Sequence, residues 1–67
     1  MSKTFEIIER VGVSTESATE AIKTAVLEAN KDHKVSWFEV VEHRGRVTSE
    51  GKVEFQVTVK LGVKSNE

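Results

Sequence analysis

The most regular stretch of the chain runs from Val53 to Val63. There Val53, Phe55, Val57, Val59, Leu61 and Val63 alternate with Glu54, Gln56, Thr58 and Lys60. A period of two predicts a strand with one apolar and one polar face. "KTFEIIERV" alternates well enough for a second strand, with Phe5 and Ile7 on one side, Thr4, Glu6 and Arg10 mostly on the other, and Gly12 as its break. From Thr15 to about Lys31 the apolar positions are Ala18, Ala21, Ile22, Ala25, Val26 and Ala29, the spacing of one helical face. Alanine dominates that face, so the helix can lie close on a sheet. Ser14 is the expected N-cap, Glu16 complements the helix dipole, and the Ser17 to Glu20 spacing reads as chance. Lys31, His33 and Lys34 gather at the helix's negative end, and Leu27 stands alone on its polar side.

A third strand, "VSWFEVVEHRGRV", is apolar on both faces. Phe38 and Val40 alternate against Val35, Trp37 and Val41, so Phe38 and Val40 are expected in the helix-facing core, with Trp37 and Val41 on the far face beside Gln56 and Thr58. "TSEGK" joins the last two strands as a hairpin connection, with Gly51 available for a positive φ. The fold class is therefore α+β: a β-α-β-β order giving a three-stranded antiparallel sheet, last strand central, with one helix packed on one face. The other face stays open. Strands apolar on both sides belong in sheets covered on both faces, and residues 1–67, a single domain, hold no second layer. Other copies of the chain or a ligand must supply it.

A chain of 67 residues buries only about 60% of the surface its unfolded form exposes, which makes association a natural supplement. Cysteine is absent, excluding disulfides and thiolate metal sites. The formal net charge of −1 argues against a nucleic-acid binder, which draws on a basic excess. No leader-like or membrane-spanning run is present, so a soluble, cytoplasmic protein is the expectation. His33 and His43 share no metal-ligand spacing with a carboxylate, and no metal is expected.

The order of elements, together with "WFEVVEHRG" followed by "FQVTVKLGV", resembles the dodecins, small flavin-binding proteins that assemble into hollow dodecamers. The likeness covers nearly the whole chain. It implies that the flavin ring stacks on Trp37 while Gln56 contacts its polar edge, in paired sites between symmetry-related subunits. It also implies that Arg44 contacts the ribityl or phosphate portion and that Ser36 and Arg46 line the site. FMN is the expected ligand, on the strength of the two arginines, with riboflavin and FAD offering the same ring. Some relatives also bind coenzyme A through basic residues near both termini. Lys3 and Lys64 are the counterparts, although Phe5 stands where relatives often carry a tyrosine.

From periodicity alone, each of these residues has a plainer reading. Trp37 would be packing, Gln56 a solvent-facing strand residue, and Arg44 and Arg46 exposed edge charges. Catalysis is not expected. Small tautomerases of this size use an N-terminal proline as base, and the chain has no proline. The rival function is a ligand-free oligomeric scaffold or protein-interaction module whose open face serves subunit contacts.

Overall fold

The computed structural model describes residues 3–65. Strand β1 (Phe5–Ser14), helix α1 (Ala18–Asp32), strand β2 (Val35–Val47) and strand β3 (Val53–Lys64) follow one another. The sheet order is β1-β3-β2 and both pairings are antiparallel, as the alternation predicts. Gly51 takes φ +83° in the hairpin connection, where its N–H donates to the Thr48 carbonyl at 2.9 Å.

The core is narrow and centred on β3. Val57, Val59, Leu61 and Val63 are buried against Ala21, Ala25 and Ala29 of α1, and Ile8, Ile22, Val26, Val35 and Phe55 pack around them. Gly12 does not end its strand. β1 continues through it to Ser14, and the missing side chain makes a notch in which the helix backbone sits: a β-carbon there would fall on the Ala21 carbonyl. That notch draws α1 over β1 and β3 and away from β2.

The helix start also differs from expectation. Ser17 is the N-cap, its Oγ accepting from the Glu20 N–H at 3.0 Å, a contact worth about 1 kcal/mol. Ser14 instead closes the preceding turn, its Oγ accepting from the N–H groups of Glu16 at 2.9 Å and Ser17 at 3.4 Å. Glu20 rather than Glu16 therefore occupies the first helical turn. At the other end the Asn30 side chain accepts from the Val35 N–H at 3.0 Å and ties α1 to β2.

Phe38 and Val40 are not in the core. They face the helix side of the sheet, paired with Leu61 and Val59, yet remain 49% and 43% exposed. A helix about 10 Å wide set over β1 and β3 leaves the third strand bare. Its length falls short too: at 1.5 Å per residue α1 spans about 22 Å, against about 40 Å for β2, so the β2–β3 hairpin projects beyond it.

Candidate functional site

The open face of the sheet is organised by two irregularities in β2. Val35 pairs with Val63 and Trp37 with Gly62, so Ser36 is an extra residue in the ladder. Val40 pairs with Val59 and Glu42 with Thr58, which makes Val41 a second. Each bulge shifts the side-chain parity by one, and a one-residue slip moves every following side chain to the other face. The bulge at Ser36 keeps Val35 in the core while turning Trp37 to the open face. The bulge at Val41 brings Arg44 and Arg46 onto that same face, opposite Gln56 and Glu54. Uniform alternation would have sent both arginines to the helix side.

Two clusters result. At one end Trp37 lies over Gly62, whose other neighbour is Ile7 of β1. The indole is 43% exposed. At the other end Arg46 Nε donates to Glu54 Oε1 at 2.7 Å and Gln56 Nε2 donates to the same oxygen at 3.0 Å, with Arg44 alongside. Gln56 stands six positions before Gly62 on β3, about 20 Å along the strand. One chain does not bring Trp37 and Gln56 together. A planar ligand touching both must take them from different copies.

The polar cluster has a titration signature. The Arg46 guanidinium, followed by the Gln56 amide, holds the Glu54 carboxyl below the usual carboxylate range. Folding therefore favours its ionised form. The associated stability is fully present above the unfolded-state value and is lost as pH falls through the folded one. In an NMR titration the Glu54 carboxyl should show a lower midpoint than a model-peptide glutamate, and Arg46→Ala should raise it. An unmoved midpoint in that variant would show that the contact is not made in solution.

Apolar residues complete the open face: Phe5, Ile7, Val11 and Val13 of β1 point to it, and all four are exposed. Phe5 pairs with Lys64 there, and Lys3 precedes the strand. His33 is the helix C-cap, its N–H donating to the Ala29 carbonyl. His43 lies on the helix side with its ring 6.4 Å from that of Phe55. Among the described residues no group of three or more His, Cys, Asp or Glu could hold a metal ion, and no helix is long and apolar enough to cross a membrane. A concavity of about 490 Å³ at the projecting hairpin is bounded by His43, Val47, Val53 and Phe55 together with Arg44 and Arg46, and excludes Trp37.

A family model described as Dodecin matches residues 4–66. The chain is 37% identical over 68 residues to a dodecin from Thermus thermophilus, covering 100% of this chain and 99% of that one. Its fold is similar to the crystal structure of the tt0972 protein from Thermus thermophilus, with TM-score 0.88, 36% identity and 98% of each chain covered. It is equally similar to the dodecin from Streptomyces davaonensis, with TM-score 0.89, 32% identity and 100% of each chain covered.

Proposed function

The chain belongs to the dodecin family, and from that premise we propose that it is a cytoplasmic flavin store, a homo-oligomer built as a hollow dodecamer that binds the ring without a catalytic step. The observation that carries this reading is Trp37, a 43% exposed indole laid on a sheet face that its own chain leaves uncovered.

An isoalloxazine is flat, apolar across its faces and lined with donors and acceptors along one edge. The indole suits the face: stacking of a base on an aromatic side chain, the nearest analogue, is worth roughly 1–3 kcal/mol. Gln56 suits the edge. Its Nε2 is occupied by Glu54, whereas its Oε1 accepts no hydrogen bond among the described residues and is open to a ring N–H. Because Trp37 and Gln56 stand far apart in one chain, the ring is gripped between copies, and the apolar side chains of β1 on the same face are covered by the same association. Arg44 lies exposed beside Gln56 and suits a phosphate, which favours FMN over riboflavin. Arg46 joins it at the cost of its bond to Glu54. Ser36 serves the site by forming the bulge that turns the indole outward.

Indole gives up an electron readily. Stacked on a photoexcited ring, Trp37 donates one electron and takes it back, so the pair ends unchanged and the excitation is spent harmlessly. Titrating FMN with the assembled protein should quench flavin emission saturably, with native mass spectrometry reporting a dodecamer. Undiminished emission at saturating protein would leave the oligomeric scaffold as the better reading.

A further inference from the structure

Gly62 follows Glu54, Gln56, Thr58 and Lys60 on the polar face of the central strand, at the position paired with Trp37. A glycine inside a strand weakens it unless something must approach the backbone closely. Here the indole does. A β-carbon built on Gly62 would lie nearest to Cε2 of Trp37, next to Cζ2, and then to Nε1 at 2.5 Å. Cζ2 and Nε1 are the outer bonded neighbours of Cε2. An approach from the ring's rim would meet Nε1 before Cε2, so this order means that the glycine Cα–H points into the face of the indole. Trp37 therefore lies flat on the β3 backbone at Gly62, with one ring face against the sheet and the other turned outward.

We infer that Gly62 is the positioning residue of the flavin platform: by lacking a side chain it lets the indole lie flush with the sheet and present a single ring face for stacking. Gly62 touches no ligand in this scheme and acts only through Trp37. The part concerning flavin rests on the function proposed above; the contact between Gly62 and Trp37 does not.

The test is a cycle of Gly62→Ala and Trp37→Ala, singly and combined. Thermal unfolding and tryptophan emission need no flavin, and FMN titration then follows. Gly62 does not have a positive φ, so alanine suits its backbone and a strand gains from the exchange once the space is free. Gly62→Ala is therefore expected to lower the midpoint of unfolding when Trp37 is present and to raise it when Trp37 is alanine. This reversal of sign is readable even if the single variant is too unstable to assemble. Where the variant assembles, its tryptophan emission shifts and its FMN affinity falls by about ten-fold, as stacking is lost. An equal effect of Gly62→Ala in both backgrounds would assign the glycine to the backbone and overturn the inference. Wild-type protein that ignores FMN while the sign reversal holds would sink the flavin store and leave the positioning of Trp37 standing. Unchanged FMN affinity in an assembled Gly62→Ala variant of a flavin-binding protein would overturn the platform role.

Discussion

Trp37→Ala is expected to abolish the quenching of FMN emission and to weaken flavin binding by roughly 5- to 150-fold, the equivalent of losing about 1–3 kcal/mol of stacking. The outward indole face is the main source of ring affinity in this scheme, since Gln56 and Arg44 supply only edge and tail contacts. The variant should keep its fold. Trp37 lies outside the buried cluster of Val57, Val59, Leu61 and the helical alanines, and truncating it removes no core side chain. Trp37→Phe should fall between the two, because a smaller ring still stacks but donates an electron less readily. Fluorescence titration reads affinity and quenching together, with size-exclusion chromatography as the check on assembly. Wild-type affinity in the alanine variant would move the flavin site elsewhere on the molecule.

The largest effect on stability is expected at Gly12. Alanine there would set its β-carbon against the Ala21 carbonyl, with the carbonyl carbon at 2.8 Å and the Ala25 β-carbon at 3.0 Å. The obstructing atoms belong mainly to helix backbone, which cannot rotate aside, so α1 must lift from the sheet along its alanine face. Overpacking of this kind costs typically 1–3 kcal/mol, about 5–20 °C in the unfolding midpoint for a domain of this size. Gly12→Val should cost more, since two further methyl groups enter the same notch. A midpoint within 2 °C of wild type, roughly the scatter of surface substitutions, would mean that the helix does not rest where the structure puts it.

Where one periodicity governed a whole element, the sequence was enough. The alternation of β3 and the alanine face of α1 specify strand, helix and their mutual packing, and they leave one arrangement with all pairings antiparallel. β2 shows the limit. Read as a uniform alternation it places Trp37 correctly, but it puts Val35, Arg44 and Arg46 on the wrong face, because a bulge shifts parity without a residue signature of its own. Ser36 and Val41 look like ordinary strand residues. Gly12 misleads for a related reason: a glycine that breaks a strand and one that admits a helix backbone are the same letter, and only the element packed above distinguishes them. The exposure of Phe38 and Val40 depends on where α1 settles sideways, a tertiary choice that no local pattern records. As for the site, the resemblance implied Trp37, Gln56 and Arg44 in sites between subunits; the register pairs Arg44 with Gln56 and leaves Trp37 apart from both within one chain. The role of Gly62 has one sign in the sequence, a residue without a side chain inside an otherwise regular strand.

The central strand is also the last of the four elements in the chain, and this sets the order of events during synthesis. Until β3 leaves the ribosome, β1 and β2 have no partner, α1 has no valine row to lie on, and none of the tertiary core exists. Pairing Phe5 with Lys64 closes a loop over nearly the whole chain, which places β1 docking among the slow, non-local steps. A nascent chain thus holds β1, α1 and β2 without their shared partner until β3 has emerged, and the apolar row they pack on arrives only then.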